Sequence, residues 1–536
     1  DPQRPSMGMA GARFGRNIPL DHAHGEDDER LIQPSPREVS RHLLTRHDFI
    51  PVESLNQVAA AWIQFMVHDW FSHGPSASPK DVEPIRVPLA SDDRWPQDPM
   101  ILPRTQVDGS AGNRGPAAFT NTETHWWDAS QLYGSHAERL RMVRTDPSTG
   151  QKMPDGKLYL DASGHLPRQP HTRSFDGETG EIELTGVNGN WWIGLSLLHT
   201  LFAREHNAVC ERLRIDHPDK DGDWLFDKAR LVISALLAKI HTVEWTPALL
   251  NNPTMRFAMR GNWWGALGET YKKAYGRVSD GDLLSGIVGG ETDHHGVPYS
   301  LTEEFVAVYR MHSLVPDAFD FRSHVDDSAV ESVPLPSAAG MSTHLVYDKV
   351  SFVDALYSLG TAHPGALRLN NFPRHLQELT RQNSGRLADL AAVDVLRDRE
   401  RGVPRYCEFR RLLHMGVPST FEELTGGDRD AARALAAVYD RVEDVDMMIG
   451  CLAEPLPAGF GFSDTAFRVF ILMASRRLKS DRFFTEDFRP EVYTQAGMDW
   501  IEANGMASVL RRHAPELAPH LDGVRNPFFP WNRPQQ

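Results

Sequence analysis

The chain has 536 residues, 40% of them hydrophobic, and a formal net charge of −15. A chain of this length and composition can bury a large core, and its acidic balance argues against a nucleic-acid partner. Its three cysteines, Cys210, Cys407 and Cys451, are widely spaced and form no Cys-x-x-Cys pair, which predicts reduced thiols and neither a disulfide framework nor a thiolate metal site.

Apolar residues recur at three-to-four spacing along most of the chain, which is the pattern of amphipathic helices. Strand patterns are few and short, for example at 157–160, and Pro- and Gly-rich stretches at 74–103 and 107–118 indicate long surface loops. The predicted fold is therefore mainly α, a large helical domain with few short strands and long loops. We predict the main helices at 55–71, 191–213, 224–244, 303–312, 431–448 and 467–478.

The prediction for domain organisation is a single domain over 1–536, with an N-terminal arm at 1–50 and an irregular C-terminal tail at 526–536. The apolar stretch at 231–238 is too short to span a bilayer, and residues 1–17 contain no apolar segment of a secretory signal. We therefore expect no transmembrane segment and a cytoplasmic location. Whether a segment before Asp1 has been removed stays open.

Gln64 and His68 are four residues apart and share one face of the helix predicted at 55–71. Both side chains can therefore point into one pocket. Asp69 is turned by about 100° around the helix and is expected to face a different neighbour. For this segment alone, a core histidine beside a capped acid is the commoner alternative.

Thr124, Trp126, Asp128 and Ser130 follow one another at two-residue spacing, which places them on one side of an extended loop. Hydroxyl, carboxylate and backbone carbonyl oxygens are the donors that calcium prefers, and Asp69 could complete the shell. The pattern indicates a calcium site, although an ordinary polar loop is the more frequent alternative.

Tyr309 and His312 are three residues apart on the helix predicted at 303–312, with a rise of about 4.5 Å between them. If the imidazole were a haem ligand, a phenol one turn away would be close enough to be oxidised by that haem. The alternative is that an ordinary amphipathic helix places the two side chains together by chance.

The helix at 198–207 carries Arg204 and Glu205, which we interpret as paired charges that hold helices together.

Together, these four segments resemble the animal-type haem peroxidases and their cyclooxygenase and dioxygenase relatives. The resemblance implies a haem b between His68 on the distal side and His312 on the proximal side, with Gln64 beside His68. It also implies a calcium ion at the 124–135 loop. The Tyr-x-x-His element is similar to that of the fatty-acid oxygenases, in which the tyrosine becomes a hydrogen-abstracting radical.

Six further segments, at 13–17, 238–246, 309–312, 363–365, 369–373 and 474–478, narrow the resemblance to the α-dioxygenases. It implies that His241, Thr246 and Arg477 hold the carboxylate of a fatty acid, with Arg476 and Arg482 as alternatives to Arg477. An arginine fork with two further donors suits a carboxylate at the end of an apolar channel.

The function that this likeness implies is addition of O2 to the α carbon of a fatty acid, giving a 2-hydroperoxy fatty acid, which is an oxylipin. Tyr309, His68 and Gln64 are the expected catalytic residues, and fatty acid and O2 the expected substrates. We also expect transient contact with a membrane surface. The alternatives are a mid-chain dioxygenase of unsaturated acids, a haem peroxidase of small reductants, and a haem-storage or adhesion protein that kept the fold.

Three departures from the wider family bear on these expectations. Val67 precedes His68 where covalent-haem peroxidases carry an aspartate, so a non-covalent haem is expected. Residues 188–191 lack the Arg-x-x-Glu arrangement of those peroxidases, which predicts poor peroxidase turnover. Cys407 occupies the position at which we expect an asparagine that supports the proximal imidazole, which puts the support of His312 in doubt.

Overall fold

The computed structural model describes residues 7–111, 115–172, 179–296, 299–379 and 388–534. The prediction of a mainly helical fold is confirmed. Parts of the 1–50 arm, of the 107–118 loop and of the 526–536 tail lie outside the described residues. Eight helices position the candidate site: α1 (Gln57–Trp70), α2 (Ile193–Asp216), α3 (Gly222–Ile240), α4 (Pro253–Trp264), α5 (Glu303–Val308), α6 (Phe352–Thr361), α7 (Leu390–Glu400) and α8 (Asp464–Ser480).

Further helices of at least seven residues are Ala137–Val143, Glu269–Tyr275, Tyr406–Leu412, Arg429–Ala436, Met447–Ala453, Gln495–Ala503 and Met506–His513.

The strands form only antiparallel pairs in the described part of the chain. The pairs are β1 (Ile85–Val87) with β2 (Met100–Leu102), β3 (Arg168–Thr172) with β4 (Thr179–Glu183), and β5 (Ala318–Arg322) with β6 (Ala329–Pro334).

Helices α1, α2 and α3 form the centre of the main apolar core. Helix α1 begins where the Asn56 side chain accepts a hydrogen bond from the backbone N–H of Ala59, a regular N-cap. Nearly every residue of α1 is buried, which explains its apolar sequence on all sides. Glu205 of α2 pairs with Arg512 and His513, so the predicted role of Glu205 in joining helices is confirmed.

The N-terminal arm is closely attached to the rest of the protein. Val39, Leu43 and Leu44 lie in a second apolar cluster with Tyr406 and Tyr439. The tail keeps its predicted irregular form but is also attached, because Asn56 donates to the carbonyls of Pro527 and Phe529 at 2.8 and 2.9 Å. No helix of the described residues is long and apolar enough to cross a membrane.

Several segments differ from their predicted secondary structure. Residues 157–160 form no strand, because the backbone N–H and C=O of Leu158 bond to the side chain of Asn207 on α2 instead of a neighbouring strand. The loop predicted at 74–103 contains β1 and β2.

The helix predicted at 431–448 is also wrong, since a 3-10 turn at Val442–Asp444 separates Arg429–Ala436 from Met447–Ala453. The chain turns inward there because the Tyr439 hydroxyl donates to Asp446, which forms a buried ion pair with Arg399 at 2.7 Å.

Candidate active site

His68 lies near the end of α1 and is buried. Its Nδ1 atom has no hydrogen-bond partner in the structure, and burial lowers the pKa of the ring to about 4, so the imidazole is neutral. Gln64, one turn earlier, accepts a hydrogen bond from Trp192 Nε1 at 2.6 Å and donates to the carbonyl of Asn190 at 3.0 Å. The loop before α2 therefore fixes the orientation of the Gln64 amide beside His68.

His312 does not lie on the same helix face as Tyr309, and the predicted helix at 303–312 is wrong in this respect. Helix α5 ends at Val308, Tyr309 is its C-cap, and His312 begins a 3-10 turn that runs to Leu314. The turn is held from the N-terminal arm, because the buried Arg46 guanidinium donates to the carbonyls of Ser313 and Val315 at 2.9 and 3.1 Å.

The His312 ring has one enclosed side and one open side. Its Nδ1 atom lies 2.8 Å from Asp394 Oδ2, and the side chain of His312 is 33% exposed whereas that of Asp394 is 2% exposed. The Nδ1–Oδ2 contact is within ion-pair distance, although its angles are poorer than those of a regular hydrogen bond. With Nδ1 facing the carboxylate, Nε2 is left for a ligand on the open side, which fits a haem iron.

Asp394 replaces the residue that we expected to support His312. Cys407 lies elsewhere, in the second apolar cluster, where its sulphur is 3.4 Å from the carbonyl oxygen of Val442. The doubt that the sequence raised at Cys407 therefore does not apply, because the partner of His312 comes from α7.

Tyr309 is buried in an aromatic environment. Its ring packs edge-on against Trp70 with centroids 5.5 Å apart, and it also contacts Phe305 at 4.4 Å. Burial raises the pKa of the Tyr309 phenol well above its usual value, so the hydroxyl keeps its proton at neutral pH. A neutral phenol in an apolar enclosure can lose a hydrogen atom without leaving a charge behind.

Arg477 is held between two indoles. Its guanidinium carbon lies 4.4 Å from the ring centre of Trp70 and 4.5 Å from that of Trp127. Nε donates to the Tyr299 hydroxyl at 3.0 Å and Nη2 to the carbonyl of His125 at 3.3 Å, while the buried Nη1 has no partner in the structure. A buried donor without a partner is costly, and an anion brought to Nη1 would satisfy it.

His241 lies beside the same two indoles, with ring centroids 5.1 Å from Trp70 and 5.7 Å from Trp127. Trp62 Nε1 donates to His241 Nδ1 at 3.3 Å, and burial lowers the pKa of His241 well below its usual value. The neutral ring therefore carries its proton on Nε2, from which it can donate to a carboxylate.

Thr246 is brought near the His241 face by a π-helical turn at His241–Trp245, in which the backbone N–H of Thr246 donates to the carbonyl of His241. In a regular α-helix, side chains five residues apart diverge by about 140°. The wider π turn reduces this divergence, and such turns are frequent at functional sites.

Arg482 forms an ion pair with Asp487, so its charge is already neutralised. Arg476 is half-buried beside Tyr299. Arg477 contacts Trp70, whose indole also contacts His241 and Tyr309.

The structure brings some of the predicted calcium ligands next to one another. Asp69 accepts hydrogen bonds from the Ser130 backbone and hydroxyl at 2.6 and 2.8 Å, and Asp128 accepts from the same backbone N–H at 3.1 Å. Burial and then the nearby charge of Asp128 raise the pKa of Asp69 well above its usual value. The buried Thr124 hydroxyl has no partner. Two neighbouring carboxylates and an unsatisfied hydroxyl fit a bound cation.

The loop is not uniformly extended as predicted, because Ala129 has a left-handed backbone (φ 60°) and Ser130 begins a short helix. The Trp126 side chain turns away, donating to the carbonyl of Met7 at 3.1 Å and stacking on Tyr299. In the described ranges, no group of three His, Cys, Asp or Glu side chains suits a metal, so the other ligands here would be hydroxyl and carbonyl oxygens.

Sequence reasoning missed Asp394, Trp70 and Trp127. It also missed a cavity of about 680 Å³ beside Trp127, a size in the range of about 300–1,000 Å³ that is usual for ligand pockets. The paired tryptophans at 126–127 and Trp70 next to Asp69 were visible signals. The cavity is lined by apolar side chains that include Trp126, Trp127, Leu231, Phe483, Phe484 and Tyr493, together with several charged groups.

Comparison with known proteins gives consistent matches along the chain. The animal haem peroxidase family matches residues 1–524. The alpha-dioxygenase PIOX of Oryza sativa subsp. japonica is 39% identical, with 99% of this chain and 85% of that protein covered. The crystal structure of the Oryza sativa fatty acid alpha-dioxygenase matches with a TM-score of 0.89 at 36% identity, covering 100% of this chain and 86% of that one.

A second crystal structure holds a tyrosine-to-phenylalanine variant of the Oryza sativa enzyme with palmitic acid. It matches with a TM-score of 0.88 at 37% identity, and the match covers 99% of this chain and 85% of that chain. The similarity therefore extends over the whole length in both sequence and fold.

Proposed function

We propose a reaction for this chain from one premise: it belongs to the animal haem peroxidase family and, within it, to the fatty acid α-dioxygenases. The resemblance seen in the sequence is thereby confirmed, and the chain is an oxidoreductase that uses haem chemistry. The proposed reaction adds O2 to the α carbon of a fatty acid and releases a 2-hydroperoxy fatty acid. The observation that carries it is the position of Trp70, which contacts Tyr309, His241 and Arg477.

The carboxylate of the fatty acid binds to Arg477 Nη1, to the proton on His241 Nε2 and to the Thr246 hydroxyl. Because the α carbon is bonded to the carboxylate carbon, anchoring the acid beside Trp70 brings that carbon close to Tyr309, which contacts the same indole. A group further along the acyl chain would lie too far away. This geometry supports α-oxygenation over the mid-chain alternative.

His312 would bind the haem iron through Nε2, with His68 and Gln64 on the distal side. When bound there, haem would supply the chemistry by which a hydroperoxide oxidises the Tyr309 phenol to its radical. His68 moves a proton between the peroxide oxygens. The Tyr309 radical then takes a hydrogen atom from the α carbon, O2 adds to the carbon radical, and Tyr309 returns a hydrogen atom to the peroxyl group.

The same residues support weak peroxidase activity and a non-covalent haem. Val67 offers no carboxylate for an ester link. Gln64 bonds to the Asn190 carbonyl and to the Trp192 indole, both from the segment before α2. Neither of these two recorded partners is a guanidinium. Without an arginine there, cleavage of the peroxide bond receives less electrostatic help.

Oxygen uptake with palmitic acid tests the function directly. A saturated acid has no bis-allylic hydrogen, so we expect the α-dioxygenase to consume it with formation of a 2-hydroperoxide. A mid-chain dioxygenase would act only on unsaturated acids, a small-reductant peroxidase would oxidise phenols without O2 uptake, and a haem-storage protein would do neither. Each of these three results would contradict the proposed function and support the corresponding alternative.

Thr246→Val tests the carboxylate site with little change in shape, because it removes one hydroxyl from a buried position. We expect KM for fatty acids to rise by about ten- to a hundredfold, since a hydrogen bond to a charged group contributes about 1.5–3 kcal/mol. The rate of reaction with peroxide alone should stay unchanged. Thr242→Val, in the same π turn, is the matched control, and an equal rise of KM in both variants would contradict the assignment.

A calcium ion at Asp69, Thr124, Asp128 and Ser130, with the Trp126 carbonyl, is part of the proposal. It would neutralise the two adjacent carboxylates. We expect Asp128→Ala to lose the ion and to lower the melting temperature, and metal analysis of the purified parent and variant measures both the stoichiometry and its loss. Asp227→Ala, another acid beside the cavity, is the control. A parent protein without calcium contradicts the assignment.

For location, we propose a single-domain enzyme of the cytoplasm that contacts membranes transiently through one surface. Seven of its exposed large hydrophobic side chains fall within 257–284, next to the exposed Arg256. Arg260 and Lys273 of the same segment both pair with Glu269. The apolar side chains suit a lipid surface, where fatty acids partition. Sedimentation with anionic and with neutral vesicles tests it, and no binding to either would contradict it. The side chains are Phe257, Leu267, Tyr271, Tyr275, Val278, Leu283 and Leu284.

A further inference from the structure

We propose that Arg477 has a second role besides binding the carboxylate: its positive charge disfavours oxidation of Trp70 and Trp127 and so keeps the radical on Tyr309. This inference rests on the proposed function, in which a hydroperoxide oxidises Tyr309 at the haem site. It concerns the interval before a fatty acid binds, when the Tyr309 radical has no substrate with which to react.

The aromatic rings form a route by which the radical could leave Tyr309. The ring centroids of Tyr309 and Trp70 are 5.5 Å apart, and those of Trp70 and Trp127 are 6.0 Å apart. Trp127 also lines the cavity of about 680 Å³, so a radical that reached this indole would be open to side reactions. Electron transfer between rings this close is fast, and only an unfavourable free energy can hold the radical in place.

Loss of the radical to Trp70 would be a one-electron transfer. The indole gives up one electron, the phenoxyl oxygen of Tyr309 takes up that electron together with one proton from water, and Trp70 is left as a radical cation. Trp70 Nε1 is buried and has no hydrogen-bond partner among the described residues, so the indole has no base to which it could release its proton. The same holds for Trp127 Nε1. Oxidation of either indole therefore leaves a cation.

Arg477 is placed to oppose the formation of both cations. Its guanidinium carbon lies 4.4 Å from the ring centre of Trp70 and 4.5 Å from that of Trp127. A neutral indole attracts the guanidinium through its ring face, whereas an oxidised indole repels it. Because Arg477 is only 2% exposed, water screens this repulsion little. A carboxylate bound at Nη1 would weaken the repulsion when the α carbon has arrived beside Tyr309.

A simpler role for Arg477 is to bind the carboxylate and to fill the space between the two indoles. Arg477→Gln distinguishes the two roles when no fatty acid is present, because glutamine keeps a planar polar end and removes the charge. Arg260→Gln is the matched control, since the Arg260 guanidinium lies 4.7 Å from the ring centre of Trp264. Trp264 is not among the rings that the structure records in contact with Tyr309.

The experiment adds a hydroperoxide to the haem-loaded proteins without fatty acid and assigns the radical by electron paramagnetic resonance, using protein labelled with deuterated tryptophan or deuterated tyrosine. We expect a tyrosyl signal in the parent and in Arg260→Gln. In Arg477→Gln the share of spin on indoles should rise at least about tenfold, because the unit charge beside both rings is removed. Oxygen added to Trp70 and Trp127, measured in peptides by mass spectrometry, should rise with it.

A second substitution tests the route itself. Trp70→Phe in the Arg477→Gln background should restore the tyrosyl signal, because a phenyl ring is much harder to oxidise than an indole. An unchanged radical in Arg477→Gln, equal changes in the two glutamine variants, or absence of a Tyr309 radical from the parent would overturn the inference.

A saturated acid without α hydrogens, α,α-difluoropalmitic acid, covers the case in which Arg477→Gln loses its haem or its fold. In the parent protein its carboxylate would neutralise Arg477, and no α hydrogen could react with Tyr309. We therefore expect more spin on the indoles with this acid than with its methyl ester, and equal spin with both overturns the inference. Failure of the parent to oxygenate palmitic acid, with the spin moving as expected in Arg477→Gln, would contradict the proposed function alone.

Discussion

Tyr309→Phe should abolish O2 uptake with fatty acids while leaving reaction with peroxide near the parent rate. The change removes one oxygen atom and keeps the ring, so the contacts with Trp70 and Phe305 persist and the fold should be retained. Without the phenol no tyrosyl radical forms, and the α hydrogen stays in place. Oxygen uptake and haem spectra after peroxide addition measure the two steps separately.

Tyr357→Phe is the control for this result. Tyr357 is also buried, and its hydroxyl donates to Asp327 at 3.0 Å, away from the aromatic group around Tyr309. This variant should lose some stability, about 1 kcal/mol for one hydrogen bond, and keep its oxygenation. If Tyr309→Phe oxygenates palmitic acid at close to the parent rate, the radical role of Tyr309 is wrong and a peroxidase of small reductants becomes the better interpretation.

His312→Ala should lose stable haem binding, because it removes the strong bond from the protein to the iron. The Soret absorbance per protein and the haem content after gel filtration should fall to near zero, while circular dichroism should show the helical fold of the apoprotein. All oxygenase and peroxidase activity depends on the haem and should disappear with it.

The control is His324→Ala. His324 also lies beside a carboxylate, with Nδ1 2.7 Å from Asp354 Oδ1, but it sits at the end of β5, outside the candidate site. Its removal should leave the haem content unchanged. A normal Soret band in His312→Ala would show that another residue binds the iron.

Local pattern was sufficient to predict most of the helices and the nearness of Gln64 to His68, because both depend on the regular geometry of α1. It failed at Tyr309–His312, where the apolar spacing continues past the true end of α5. The helix ends there because tertiary contacts determine the turn. Arg46 binds the carbonyls of Ser313 and Val315, and Arg310 reaches across to α7.

Contacts between residues far apart in the sequence could not be predicted for the same reason. Arg310 and Asp394 are 84 residues apart, and nothing in either segment indicates that they meet. The support of His312 was sought at Cys407, which the fold places in another cluster. By contrast, the resemblance led to the proposal of His241, Thr246 and Arg477 as carboxylate ligands, and the contacts of Trp70 with His241 and Arg477 emerged only from the packing.

Arg46 also makes the N-terminal arm part of one cooperative unit with the His312 turn. Its guanidinium is almost completely buried and donates to Ser313, Val315 and Asn371 as well as to Asp317. If the arm detached, several of these carbonyls would lose their donors inside the protein, so local opening of the arm is strongly disfavoured. In hydrogen exchange, amides of the arm near Arg46 should therefore become accessible only together with those of the turn that carries His312.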